Sequence, residues 1–320
     1  MKKECIPGLS FVAALALAAS PAFAQEDRDV RPARGDGETA VAQADVNVVA
    51  DEETPTHIFL TREEHEKAIA RRALARRTAN MTYHGGKILT STTTKAIFWG
   101  TSWGTSPGDK ITGIDSWYGG FGLSNYAKTT TEYTGSNGTV GTVSHYLGHV
   151  VDTTAASGGG STSAILAEAC RQFTGPNDGS AYYAVYTDRP RGNAGYCAWH
   201  SAGSCGGVPI QFAFFWKLDG DAGCDPADTS GLHSQGLAAL ANVSGHELAE
   251  AMTDPASPGA WYDSSGAENG DKCAWTWGAP LVTFTDGTKW KVQGEWSNKA
   301  FTAGTGYPNL SGQKGCLGGQ

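Results

Sequence analysis

The chain has 320 residues, 40% of them hydrophobic, with 43 Gly, 10 Trp and a formal net charge of −8. That length and apolar share suffice for a sizeable core, in one large domain or two small ones. The acidic balance, with no Lys/Arg cluster beside an apolar anchor, gives no electrostatic footprint for nucleic acid.

At the N-terminus, Lys2 and Lys3 precede an apolar run from Leu9 to Ala19, and Ala22-Phe23-Ala24 supplies small residues for signal peptidase. This reads as a cleavable signal peptide over 1–24, with Gln25 as the first mature residue, and predicts a secreted protein, extracellular or periplasmic. The run is too short for a membrane span, and no later stretch is long enough. Export leaves Cys170, Cys197, Cys205, Cys224, Cys273 and Cys316, an even set in an oxidising compartment. Up to three disulfides follow, in pairings that spacing alone leaves open, with Cys197–Cys205 across a short Gly-containing loop as the first choice. No Cys-x-x-Cys occurs, which disfavours a thiolate zinc site.

Residues 25–56 are acidic and poor in aromatics, and predict disorder. "TREEHEKAIARRALARRTAN" (61–80) has helical spacing with acidic residues first and arginines later, which suits the helix dipole. Residues 25–80 therefore read as a leader with a solvated helix, or as a pro-segment removed near the Arg-Arg pairs. The compact domain is expected from Met81 to residue 320. "KAIFWGTSW" (95–103), "VSHYLGHVVDT" (143–153), "AYYAVYTD" (181–188) and "PIQFAFFWKLD" (209–219) read as strands. "GDKITGIDSWYGGF" is a weak helix, "STSAILAEACRQF" (161–173) a better one with Ser161 or Ser163 as N-cap, and Gly231–Thr253 the strongest. A hairpin turning at Asp286-Gly287 follows. Interleaved strands and helices predict an α/β or α+β fold.

The strongest helix ends in "VSGHELAEAMTDP". His246 and Glu250, four apart, share one face and can offer two ligands to one ion. Glu247, about 100° away, is placed like the general base of a metalloprotease. Gly245 permits a close approach to the helix backbone. Leu237, Leu240, Ala241, Leu248 and Met252 form an apolar stripe, so His246 and Glu250 could also lie on a solvated face. A solvated face normally mixes in Lys or Arg, and none occurs from Leu218 to Thr253. A covered His with two carboxylates needs a counter-charge, and the metal reading is favoured. The third ligand is sought in "WYDSSGAENGDKC", with Asp271 first and Glu268 second; the bland alternatives are a turn residue and a loop carboxylate. Asp254 reads as a helix stop before Pro255.

His145 and His149 also stand four apart, but a strand would separate them by about 13 Å, so they read as ordinary strand histidines. His200 and His233 have no motif behind them, and Ser201 and Ser244 lack a nucleophile-elbow context.

In order, "MTYHGGKILTSTTTKAIFWGTSW", "HYLGHVVDT", "CAWHS", "FAFFWKLDGDAGCDP", the helix ending in Thr-Asp-Pro and the closing Cys273 and Cys316 resemble the phosphate-induced protein 1 (EXORDIUM-like) family over roughly residues 81–316. The resemblance implies a secreted, disulfide-containing protein, associated in plants with the cell wall and growth, without settling an activity. Plant members have Thr-Asn-Pro after the helix and lack His-Glu-x-x-Glu. The bacterial branch has His-Glu-x-x-Glu, Thr-Asp-Pro and Gly-Asp-x-Cys, which fall here on His246, Glu247, Glu250, Asp254 and Asp271.

Together these readings predict a zincin-like mixed sheet packed on helices, with His246, Glu250 and Asp271 or Glu268 as metal ligands. Zinc comes first on motif grounds, with manganese or calcium as alternatives because of the oxygen ligands. The expected function is a zinc-dependent hydrolase, a peptidase for a peptide or extracellular polymer, with Glu247 as general base for water activated on the metal and Tyr262 or His233 near an oxyanion. The alternative is a non-catalytic module that binds glycans or surfaces through Trp- and Tyr-rich loops, with a structural metal or none.

Overall fold

The computed structural model describes residues 48–72 and 80–320; the signal peptide, the start of the leader and the second Arg-Arg pair lie outside them. Strands β1 (Val48–Ala50) and β2 (His57–Leu60) and helix α1 (Arg62–Arg72) come first, then the short β3 (Thr82–Tyr83) and the long β4 (Thr92–Trp99). Helix α2 (Lys110–Phe121), a small hairpin of β5 (Thr134–Gly135) and β6 (Gly138–Thr139), β7 (Ser144–Asp152) and α3 (Thr162–Arg171) follow. Next are β8 (Ala181–Pro190), β9 (Tyr196–Cys205), β10 (Val208–Lys217) and α4 (Gln235–Thr253). The chain closes with β11 (Trp261–Tyr262), α5 (Asn269–Cys273), the hairpin β12 (Val282–Thr283) and β13 (Lys289–Trp290), β14 (Glu295–Trp296), α6 (Asn298–Ala303), β15 (Tyr307–Pro308) and β16 (Lys314–Leu317).

A seven-stranded sheet runs in the order β1-β9-β10-β8-β4-β7, with β2 also beside β9. The β10, β8, β4 and β7 neighbours are parallel, and β9 is antiparallel to β10 and to β1 and β2. Residues 181–187 of β8 are all buried, as a central strand covered on both faces should be. On that strand Tyr186 meets Ser244 of α4 at 2.6 Å and Tyr118 of α2 at 3.1 Å. Neighbouring side chains alternate faces. Tyr183 accordingly points the other way, and its hydroxyl accepts the amides of Thr174 and Gly175 just beyond α3. Helices α2 and α4 thus cover one face and α3 the other, giving a mixed α/β sandwich.

The expected strands and helices are present, with shifted ends. Strand β4 stops at Trp99 because Gly100, at φ +143°, brings its backbone so close that a Cβ would strike the Asp188 carboxylate. Helix α4 starts at Gln235 rather than Gly231. Its N-cap is Ser234, whose side chain accepts from Leu237 N and is itself held by Asp109 at the head of α2. It ends at Thr253, with Asp254 as C-cap before Pro255.

Two expectations need correction. Cys197 and Cys205 are not bonded to each other; the disulfides are Cys170–Cys205, Cys197–Cys224 and Cys273–Cys316. The stretch between Cys197 and Cys205 is strand β9, not a loop, and eight extended residues hold its ends roughly 26 Å apart, far beyond disulfide reach. The second is the upstream edge of the compact unit, which contains the described part of the leader. There β1 and β2 pair with β9, and Phe59 is only 1% exposed, between the rings of His246 and Trp275. Three disulfides fit an oxidising compartment. Among the described residues no helix is long and apolar enough to cross a membrane.

Phe59→Ala should therefore lower unfolding stability by about 3–5 kcal/mol, as for a core aromatic. Urea unfolding checks this, and a loss under about 1 kcal/mol would mark the segment as a peripheral leader.

Candidate metal centre

Helix α4 is buried along almost its whole length, and His246, Glu247 and Glu250 are at most 1% exposed. The close approach expected at Gly245 is real: a Cβ there would lie 2.7 Å from the Tyr126 hydroxyl, which donates to buried Glu295 at 2.8 Å.

His246 is enclosed on every side. Phe59 stacks on its ring at 3.9 Å, and Nε2 lies 3.2 Å from Glu250 Oε2. Gln293 Nε2 sits 3.1 Å from Nδ1 and donates to Gly270 O at 2.9 Å. Only glycine fits at 270, because a Cβ would come within 2.7 Å of His246 Nδ1 and 2.9 Å of Glu250 Oε1. The next amide, Asp271 N, donates to Glu250 Oε1 at 2.9 Å. The Asp271 carboxylate accepts from Glu268 N at 3.3 Å, capping α5.

Glu268 points elsewhere. Its Oε2 is 2.7 Å from His57 Nδ1 and 3.4 Å from His200 Nε2, and its buried Oε1 has no hydrogen-bond partner. His57 and His200 are a cross-strand pair of β2 and β9, with ring centroids 4.7 Å apart. His200 Nε2 is also 3.5 Å from Glu250 Oε2.

Among the described residues, three groups place ligand atoms within 4.8 Å of one another: His57–His200–Glu268, His200–Glu247–Glu250 and His246–Glu250–Asp271. Charge-assisted hydrogen bonds run near 2.7–2.9 Å. Two ligands of one ion, each about 2.1 Å away at a tetrahedral angle, stand about 3.4 Å apart. The His–Glu separations of 3.2, 3.4 and 3.5 Å match the second figure, whereas His57–Glu268 at 2.7 Å is a hydrogen bond as it stands. These His and Glu side chains can hold a metal ion.

The electrostatics agree. Burial alone would lower His57 and His246, but Glu268 raises the first to about 9 and Glu250 raises the second to about 10. His200 is likewise driven up by Glu268 against its burial. Burial pushes Glu247 up to about 8 and Asp254 up to about 7, the latter with help from Glu268. Glu250 goes the other way: burial opposes its charge, but His246 and His200 hold it far below the usual range. Carboxylates thus keep all three imidazoles protonated, and a divalent cation could replace those protons.

A cavity of about 570 Å³ opens over this cluster, lined by His57, His200, Asp254, Tyr262, Glu268 and Asp271 among others. His246, Glu247 and Glu250 lie outside that lining. The structure therefore brings every sequence-proposed ligand into one neighbourhood but divides them. His246, Glu250 and Asp271 meet in one group, while Glu268 turns to His57 and His200, neither of which had been proposed as a ligand. No local spacing links His57 to His200; only sheet register does. Asp254, besides stopping the helix, faces the cavity. His233 is remote, stacked on Trp290 at 4.2 Å beside Asp228. His149, on the edge strand β7, pairs with Asp115 of α2.

Comparisons with family models, curated proteins and solved structures return no match to this chain.

The raised groups fix a pH dependence for the chelated protein. His57 and His246, near 9 and 10 when folded against 6.5 otherwise, contribute stability that is full below 6.5 and lost as pH rises through 9–10. Asp254 and Glu247 act with the same sign at lower pH, because their raised values also make the folded state bind more protons. In EDTA, Tm should fall steadily from weakly acidic pH to about 10, with a shallower upper part in His57→Asn. Differential scanning calorimetry checks this, and a Tm flat between about pH 5 and 9 would contradict it.

Proposed function

We propose that the chain is a secreted metal-dependent hydrolase, with the ion at His57, His200 and Glu268 on the floor of the cavity. The observation that carries this is Glu268, buried between two imidazoles with one oxygen unpartnered and open space above. Two imidazoles with one carboxylate suit zinc; manganese or calcium remain the alternatives. The zincin-like placement of α4 against the sheet and the resemblance to the bacterial branch of the phosphate-induced protein 1 family belong to the same reading. An ion held there would polarise a carbonyl and acidify water.

The chain's own groups supply the rest. Asp254 faces the cavity with its proton poised near 7, the range in which a general base works well. Its Oδ1 accepts from Ala260 N, which fixes the carboxyl against the wall. Glu247 lies below the floor, where burial keeps its proton, so it serves as a reserve behind His200 rather than at the substrate. Tyr262 lines the cavity and can donate to a developing negative charge; His233 is too remote for that role.

A second reading keeps the ion, or none, in a structural role within a glycan- or surface-binding module. It draws on the aromatic strip beside the cavity, where Tyr83, 41% exposed, packs on Trp261 and His84 stacks on Tyr262 at 3.6 Å.

Elemental analysis of purified wild type should find about one divalent ion per chain, lost in His57→Asn, His200→Asn and Glu268→Gln. On a mixed peptide substrate, Asp254→Asn should lower kcat by roughly 10²–10⁴ with metal retained, the usual weight of a general base. Glu247→Gln should cost less. A folded, metal-free protein rejects the proposal. Metal without turnover, with glycan retention lost in Tyr83→Ala/Trp261→Ala, selects the second reading.

A further inference from the structure

We propose that the cavity binds an extended peptide carrying Lys or Arg, seated where Asp51 and Glu52 meet the metal centre. The bond to be cut rests on the hydrolase reading above; the binding preference does not.

The first ground is charge. The lining sets five carboxylates, Asp51, Glu52, Asp254, Glu268 and Asp271, against the two protonated imidazoles of His57 and His200, with neither Lys nor Arg. Two nearby basic side chains are engaged elsewhere, and Lys87 lines only the adjoining cavity, together with Asp178. Lys272 Nζ is 2.7 Å from Asp263 and lies over the Trp296 ring, and Arg62 donates to Asp225 O and stacks over Trp275 and Trp277. Of the five carboxylates, Glu268 would face a divalent ion at the proposed site. The other four lining carboxylates, all outside the proposed ligand set, would still face the cavity. Such a recess concentrates cations and repels anions.

The second ground is independent of charge. A neighbouring cavity of about 780 Å³ shares Asp51, Ala202, Pro255, Ala256 and Ser257 with the first. On its wall stands Gln211, 4% exposed, with Oε1 buried and lacking any hydrogen-bond partner. Buried acceptors are normally satisfied, so Gln211 awaits a donor. A backbone N–H of a chain crossing from one cavity into the other would supply it. Together the two spaces exceed what a single small ligand needs, which favours a polymer over a simple diamine.

Three peptides of equal length, differing only in a central Lys-Lys, Ala-Ala or Glu-Glu, should be titrated into the full chain by fluorescence anisotropy. Each titration is run with zinc and with EDTA, at low salt and at 0.5 M salt, beside a glucosamine oligomer of similar charge. The Lys-Lys peptide should bind at least roughly tenfold more tightly than Glu-Glu at low salt, and the gap should shrink at high salt, where screening shortens to a few ångströms. Asp51→Lys/Glu52→Lys should abolish or reverse the order, and Gln211→Ala should weaken all peptides without changing it. Equal affinities, a preference that survives the charge reversal, or tighter binding of the glucosamine oligomer overturns the proposal. Cationic preference in a protein that holds no metal rejects the hydrolase reading and leaves this inference standing. Metal binding without the preference does the opposite.

Discussion

Three ionisable residues on a helix with no exposed face set the terms for this structure. His246, Glu247 and Glu250 are withdrawn from water by α4, and no Lys or Arg of that helix can answer them. Buried carboxylates without compensation are costly, so the fold must bring positive charge from elsewhere. It does so with imidazoles: His246 from the helix itself, His200 from β9 and His57 from β2. An imidazolium can release its proton to solvent and bind a metal instead, which a guanidinium cannot, so the same contacts that neutralise the helix also make it receptive to an ion.

Much of this was legible from residue order, and the gaps have physical causes. Buried parallel strands advertise themselves, as "AYYAVYTD" does, and α4 is readable from its periodicity and its missing cations. His246, Glu250 and Asp271 stand in one group, while Glu268, the other candidate for third ligand, turns to His57 and His200. Strand β9 was missed because "YCAWHSAGSC" mixes small and polar residues, and its extended form comes from pairing on both edges rather than from propensity. That error carried the wrong disulfide with it. His57 was hidden for a related reason. "HIFL" is a four-residue apolar island in an acidic leader, and only its register against β9 shows that His57 faces His200.

The cluster has two halves with different duties. In the lower half, Gln293, Gly270 and Phe59 clamp His246, and Glu250 accepts the Asp271 amide, so these groups have little freedom. In the upper half, Glu268, His57 and His200 meet the cavity beside Asp254. The rigid layer fixes where Glu250 points, and the open layer is where a substrate could arrive. A helix motif alone locates the first layer. The second is assembled from β2, β9 and the segment leading into α5.

This assembly makes the N-terminal segment hard to treat as an appendage. Its β1 and β2 cover the edge of β9, which would otherwise expose unpaired backbone groups next to the cavity. Phe59 fills core volume against His246, and Leu60 O accepts the Trp275 indole N–H at 3.1 Å. Removing residues up to 60 would take away two strands, a core aromatic and an imidazole in one step. If an ion binds His57, its binding energy also holds β2 to β9, because the ligand set exists only while that strand is docked. Metal affinity and closure of the sheet edge would then be one equilibrium, and a pro-segment removed to expose the site would remove part of the site with it.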